Sequence, residues 1–446
     1  MSSTISHEPS GLSSSGLEHD ARVVSSEPHE VHPRDIAVGV VIGRISEYFD
    51  YFVFGIASVL VFPKVFFPFA SSLNGTLYSF VIFALAFIAR PVGTVVFLDI
   101  QRRWGRATKL TLSLLVLGTS TAGIAFLPGY DAIGAAAIAL LAIFRIGQGV
   151  GQGGSWDGLP SLLALSAPPD QRGWYAMMGQ LGAPLGFMVA SGLYLLIYAS
   201  VPPEDFFSWG WRYPFFCAFA INVVALFARL RLVMTNEYAR LLERRELEPT
   251  RSSEVVRLQG HNIVLGAFGA LASYALFHVV TIFPLSWIRL FSNQSITGFL
   301  AIQMLAGLLG AGGAVASGLI ADRLGRRTTL ALFATLIAVF SGFAPTLLDG
   351  GALGQDVFIL LGFTLLGLSY GQAAGALNAS FEPRYRYTGA ALTSDVAWLI
   401  GAGFAPLAAL GLSAYFGLGY VSLYLLSGAV GTLAALWISR RMTEQD

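Results

Sequence analysis

Residues 43–55 read GRISEYFDYFVFG and place Arg44, Glu47 and Asp50 inside an otherwise apolar run from Ile36 to Phe62. That run exceeds the roughly 20 residues a helix needs to cross a hydrocarbon core of about 30 Å. At about 100° per residue, Arg44, Glu47, Tyr48 and Tyr51 share one helical face, with Asp50 some 60° further round. Ionisable side chains at that depth cost several kcal/mol unless they face a wet cavity or one another. One reading makes Arg44 and Glu47 an i,i+3 pair that only assists folding, which leaves Asp50 without an obvious partner. The other makes this helix line a polar path through the membrane.

The rest of the chain supports a membrane setting. Of 446 residues, 55% are hydrophobic and only 12% charged, and the mean hydropathy is +0.66. A soluble domain would be roughly a quarter charged, so the composition is that of a polytopic membrane protein whose surroundings are a lipid bilayer. The net charge of +1 comes without a basic patch outside short loops, which excludes a nucleic-acid partner. Fifty glycines suit helices that approach closely in lipid. Cys217 is the single cysteine, so no internal disulfide forms. Residues 1–33 are rich in Ser, Glu and His and lack an apolar core, so they read as a disordered tail rather than a signal peptide.

Apolar runs predict twelve spans. After the first they lie near 76–97 (broken at Arg90-Pro91), 110–127, 133–150, 175–198, 213–232, 263–290, 297–320, 330–347, 357–377, 390–413 and 418–438. The fold expected is an all-α membrane protein, with twelve transmembrane helices in two pseudo-symmetric six-helix bundles. The bundles span 34–232 and 262–439, joined by a central loop over 233–261 and followed by a short tail at 440–446.

Arginines fill alternate loops: Arg102, Arg103 and Arg106 with Lys109, then Arg172, then Arg240, Arg244, Arg245, Arg251 and Arg257. Arg323, Arg326 and Arg327, then Arg384 and Arg386, and finally Arg440 and Arg441 continue the series. The opposite loops hold Asp131, Glu204, Asp205, Asp349 and Asp356. By the positive-inside rule both termini and the central loop lie in the cytoplasm. The chain also repeats itself, because RWGRATKL around Gly105 returns as RLGRRTTL around Gly325, each after the second span of its half. Such a parallel repeat points to a transporter with one site between its halves, near the middle of the membrane.

The stretch GLIADRLGRR, residues 318–327, joins two helices by a tight basic turn. Gly318 allows helices to close up, Gly325 allows the sharp turn, and Asp322 can cap a helix or hold an arginine. This resembles the signature loop of the major facilitator superfamily, which implies a conformational gate at Asp322, Arg323, Gly325 and Arg326, with Gly105 and Arg106 in the first copy. That copy is degraded, with Leu98 at its glycine position and Arg102 at its aspartate position. GRISEYFDYFVFG, FALAFIARPVGT, RIGQGVGQGGSWDG, APPDQRGWYAMMGQLGAPLG, WGWRYPF and EPRYRYTGAAL together resemble the metabolite:proton symporter branch. That branch includes permeases for 2-oxoglutarate, citrate, shikimate and proline or betaine. The chain departs from its pattern at Arg44 (usually a small amide), Ser155 (usually glutamate), Ser166 (usually acidic) and Asp395 (usually an amide). Asp157 can replace the missing glutamate.

Arg90 precedes a proline that frees a backbone carbonyl one turn earlier, and its guanidinium can satisfy that carbonyl, bind an anionic substrate or snorkel to the interface. Arg145 matches the superfamily's buried arginine, a fixed cation able to hold a carboxylate ionised. Gln148 and Gln152 lie near its face, either to bind substrate or to bridge helices. Tyr274 and His278 on span seven, Gln372 on span ten, and Asp395 and Trp398 on span eleven are the second half's candidates. No metal-ligand cluster, phosphate loop or catalytic triad appears, so neither an enzyme nor a bound cofactor is implied.

The expectation is a proton-driven monomer that imports a small organic acid through the cytoplasmic membrane by alternating access. Arg44, Arg90 and Tyr51 bind the acid and Glu47, Asp50, Arg145 and Asp157 carry the proton. Two alternatives stay open: a zwitterionic solute of the proline or betaine type, and a transporter-like sensor suggested by the long N-terminal tail.

Overall fold

The computed structural model describes residues 33–155, 170–233, 248–373 and 381–443, and among these there is no strand. In the first half the principal helices are α1 (Pro33–Leu60), α2 (Ser72–Phe126), α3 (Ala135–Gly154), α4 (Arg172–Met178), α5 (Gly182–Ser200) and α6 (Tyr213–Val233). In the second they are α7 (Ser252–Gly269), α8 (Leu271–Thr281), α9 (Phe283–Phe291), α10 (Ile296–Leu324) and α11 (Arg326–Asp349). There follow α12 (Gly351–Tyr370), α13 (Arg386–Ala397), α14 (Ala405–Phe416) and α15 (Gly419–Thr443).

Ten helical stretches among the described residues are long and apolar enough to cross a membrane. One of them, α2, is two spans joined at a bend, since Gly105 has φ 85°. Helix α1 has 28 residues, enough to span, but carries Arg44, Glu47 and Asp50 in its middle. Together they give twelve spans in two six-span halves. Gly325 makes the matching turn between α10 and α11 at φ 80°, a conformation that only glycine adopts without strain. The repeated motif thus marks the same joint in both halves.

Three elements differ from the sequence expectation. Helix α2 runs through Arg90-Pro91 without a break, because a membrane helix can lose one backbone bond to proline when its neighbours hold it. Helix α3 continues past Val150 to Gly154. Its glycines face α2 so closely that a Cβ on Gly149 would lie 2.2 Å from the Ala86 carbonyl oxygen, and one on Gly153 2.3 Å from that of Arg90. These glycines keep the helix and bring two backbones into contact. The seventh span, finally, begins at Ser252 rather than Ile263 and breaks twice, at Ala270 and Ile282.

Apolar side chains such as Leu196, Val224, Phe227, Phe343 and Leu353 are exposed on the outside, as lipid contact requires. The core is aromatic and continuous between the halves, with Tyr48, Phe52, Phe187, Phe277, Phe363 and Trp398 in one buried cluster.

Candidate functional site

Helix α1 presents to the second half the face expected from its periodicity. The Arg44 Nη1 atom lies 2.8 Å from Glu47 Oε2, an i,i+3 ion pair with little exposure. Arg44 also donates to the Tyr48 hydroxyl at 3.2 Å and to the Gly179 carbonyl at 3.4 Å. The Tyr48 hydroxyl in turn meets that of Tyr370 from the other half. One turn on, the Tyr51 hydroxyl accepts from Arg90 Nη1 at 3.1 Å.

Arg90 is the charge at the centre of the interface. It stands eighteen residues past Ser72 and fifteen before Gly105, so it lies near the middle of its span. Its Nε donates to Asp395 Oδ1 of α13 at 2.9 Å, and both side chains are 2% exposed. Removing one partner from such a pair costs about 3–5 kcal/mol, since the other charge is left without compensation in a medium that cannot solvate it. Trp398 follows one turn later, at the start of a π-wound segment, Trp398–Gly403. Its ring stacks on Tyr51 at 5.8 Å and 8°, and the Arg90 guanidinium lies 5.7 Å from its ring centroid. Phe87, Tyr274, Phe277 and Tyr370 close the aromatic wall around Trp398.

His278 sits inside that wall, against Phe83 and Phe277. Its Nδ1 is 3.1 Å from the Thr281 hydroxyl, which already donates to the Phe277 carbonyl at 2.9 Å. The network therefore assigns the proton to Nδ1, and Nε2 is a buried acceptor without a hydrogen-bond partner.

Asp50 faces the interior of the first half instead. It is fully buried and held by neutral donors: the Thr121 hydroxyl at 3.1 Å, Gln148 Nε2 at 3.3 Å and Asn222 Nδ2 at 3.4 Å. Arg145 does not touch it. The guanidinium lies 3.9 Å over the Phe54 ring and donates to the Phe83 carbonyl at 3.2 Å and to Gln148 Oε1 at 3.0 Å. Gln148 thus bridges the cation and the carboxylate with the two ends of one amide. Gln152, a turn away, is buried with neither amide atom hydrogen-bonded.

The halves also meet at the end that carries the arginine-rich loops. Asp322 accepts from the backbone N–H of Gly173 at 2.6 Å and of Trp174 at 3.1 Å, capping α4 from across the interface. Gln372 donates to the Gly173 carbonyl at 3.2 Å, which puts it in this closure and away from the aromatic wall. Lys109, read from sequence as a loop charge, is buried and bonds Gln101 at 3.1 Å and Tyr387 of the second half at 3.2 Å. Gly105 and Gly325 make their turns at this end, Arg106 and Arg326 are half-buried beside them, and Arg323 is exposed. At the opposite end Arg289 donates to the Val59 carbonyl. Between the halves, a cavity beside Phe52, Phe277 and Tyr370 measures about 10 Å³, room for about one water. Among the described residues the halves thus touch at both ends, contacts that must part for a metabolite to pass. Asp157 lies outside the described residues.

The structure brings Arg90, Tyr51, Tyr274, His278, Asp395 and Trp398 together and sets Asp50, Arg145 and Gln148 apart as a second cluster. Sequence reasoning missed Thr121 and Asn222, the ordinary polar residues that hold Asp50, and it missed Lys109 as an interface group. Their one signal was a polar residue inside, or at the edge of, an apolar run.

Two six-span helical halves meeting at a buried charged interface define a membrane solute transporter. The family described as Major Facilitator Superfamily matches residues 40–406, and the chain belongs to it. It is 37% identical over 421 residues to the inner membrane metabolite transport protein YhjE of Escherichia coli K12, covering 92% of this chain and 95% of that protein. It is 30% identical to the shikimate transporter of the same organism, covering 92% and 96%. It is 27% identical to the citrate-proton symporter of Salmonella typhi, covering 82% and 84%. The crystal structure of a D-xylose-proton symporter shares the fold, with a TM-score of 0.68 at 20% identity over 90% of this chain and 96% of that one. The chain is thus a multi-pass membrane transporter of the metabolite-transporting branch, not an enzyme.

Proposed function

We propose that the protein is a proton-coupled symporter that imports a small organic acid across the cytoplasmic membrane by alternating access, with both termini in the cytoplasm. The observation that carries this reading is Arg90, a guanidinium buried between the halves, bound by Asp395 and Tyr51 and walled by Trp398. A guanidinium in a dry site matches a carboxylate with two parallel hydrogen bonds, and the aromatic faces hold the apolar remainder of the solute. Relatives named for shikimate and citrate transport support an acid as cargo. The proton gradient supplies the energy and no cofactor takes part.

In the working cycle one chain serves as a monomer. The halves, 34–232 and 262–439, rock about the aromatic wall while the central loop and tails stay on the cytoplasmic side. Arg44 and Glu47 neutralise one another next to Tyr48 and keep the entrance of the site polar. Asp50 lies on the proton's route, for it can accept one without breaking an ion pair, and Gln148 passes the change in its charge to Arg145. Asp322 and the basic turns latch the cytoplasmic end.

Sealed proteoliposomes with an imposed pH gradient, acidic outside, test this. Labelled organic acid should accumulate, and collapsing the gradient should abolish accumulation while exchange persists. Binding without uptake would make the protein a sensor instead. A zwitterionic solute is the second reading, favoured by the placement of Asp395 beside Arg90 within aromatic walls that suit a quaternary ammonium.

A further inference from the structure

Among the described residues, Arg90–Asp395 is the ion pair that joins the two halves. The guanidinium offers a carboxylate its fork, and in this closed conformation the carboxylate it holds is the protein's own. A small cavity between the halves, with room for about one water, lies on the Phe52–Phe277 side of that pair. An incoming carboxylate that takes the seat on Arg90 Nε displaces Asp395. Once displaced, Asp395 needs a proton or a cation, because a lone carboxylate at this depth is strongly disfavoured. An organic acid brings no cation, so the proton must come with it.

We propose that Asp395 occupies the seat of the substrate's carboxylate in the empty protein, and that protonation of Asp395 frees Arg90 for a monocarboxylate, one proton entering with each molecule. This rests on the organic-acid reading and narrows it to a class. Exchanging one carboxylate for another leaves the site's charge unchanged. Among the described residues, the other buried cations of the interior are engaged: Arg44 by Glu47, Arg145 by Phe54, Phe83 and Gln148, and Lys109, two turns away, by Gln101 and Tyr387, so a second or third carboxylate is disfavoured. The step balances: the proton adds to a carboxylate oxygen of Asp395, the Arg90–Asp395 bond breaks, and the Arg90–substrate bond forms.

The groups around Asp395 leave it as the one whose titration controls Arg90. From α2 it faces Arg90 itself, while Lys109, two turns toward the basic end, is held by Gln101 and Tyr387. From α1 come Tyr51, bonded to Arg90, and the neutralised pair Arg44–Glu47. From α8 come Tyr274 and His278, both uncharged in this network, against Trp398. From α7, Glu254 is bound by Arg384 and Tyr385 at the loop end.

Isothermal titration calorimetry on the purified full-length protein tests the proposal, with shikimate, benzoate, lactate, citrate and glycine betaine as probes. The range is about pH 6 to pH 8, where monocarboxylic acids stay ionised. A monocarboxylate should bind the parent with an affinity that falls as pH rises, by up to about tenfold per pH unit. Asp395→Asn should bind the same probe with little pH dependence, and Asp395→Glu should restore the dependence. A parental pH profile in Asp395→Asn, or citrate bound more tightly than every monocarboxylate, would overturn the proposal while leaving acid transport standing. If Asp395→Asn does not fold, proton uptake by the parent on binding decides in weak buffer: about one proton per bound monocarboxylate is expected, and none contradicts it. Failure of every acid to bind at any pH would instead remove the organic-acid reading, as would pH-independent binding of glycine betaine alone.

Discussion

The carboxylate of Asp322 caps the backbone of Gly173 from the opposite half, at 2.6 Å. Two peptide N–H groups at a helix start are satisfied by a charge on another bundle, so the bond exists only while this end is shut. In a Cys217→Ser background, a cysteine replacing buried Ser317 reports on that closure. Adding Asp322→Asn should speed its labelling by a membrane-impermeant maleimide about tenfold, from the roughly 1.5–3 kcal/mol of a charged hydrogen bond. An unchanged rate would assign the closure to Gln372 and Lys109 instead.

Asp50→Asn should keep the fold, because an amide can still bond Thr121, Gln148 and Asn222. Accumulation in vesicles should then fall to the level reached without a gradient, while exchange of labelled for unlabelled substrate continues. Undiminished accumulation would take Asp50 out of the proton's route.

Gln148→Leu separates Arg145 from Asp50 and leaves buried polar atoms without a partner on both sides. We expect a loss of about 1–3 kcal/mol, read as a lower thermal midpoint in detergent. Gln152→Leu removes an amide that makes no hydrogen bond, so its midpoint should move little. Equal losses in both variants would contradict the bridge.

Gly149→Ala forces a methyl group against the Ala86 carbonyl, whereas Gly312→Ala adds one in open space. The first should destabilise by about 1–3 kcal/mol through overpacking. The second should be neutral, or stabilising by roughly 0.5–1 kcal/mol, because alanine is the better helix former. Thermal unfolding of the two variants side by side checks both.

Much of this was readable in the sequence because it depends on local spacing. The shared face of Arg44, Glu47, Tyr48 and Tyr51 follows from 100° per residue, and so does the divergence of Asp50 into its own half. The paired turns at Gly105 and Gly325 were legible as a repeat, and their positive φ explains why glycine recurs there. What spacing cannot show is which distant faces meet. Asp395 was legible as an unusual acid, yet its contact with Arg90 spans 305 positions. Glycines suggested the end of a helix at Val150, whereas Gly149 and Gly153 are where α3 leans on α2. Arg145 was expected beside a carboxylate and is instead surrounded by rings and an amide.

The account stands most directly on Arg90 as the group that grips the substrate's carboxylate. Equilibrium binding of an organic acid to the parent and to Arg90→Lys tests this, since lysine keeps the charge but loses the planar fork. The account predicts that Arg90→Lys loses most of its affinity, about tenfold to a hundredfold for the one or two charged hydrogen bonds at stake. Equal affinity in the two proteins would contradict it and leave Arg90 a structural partner of Asp395.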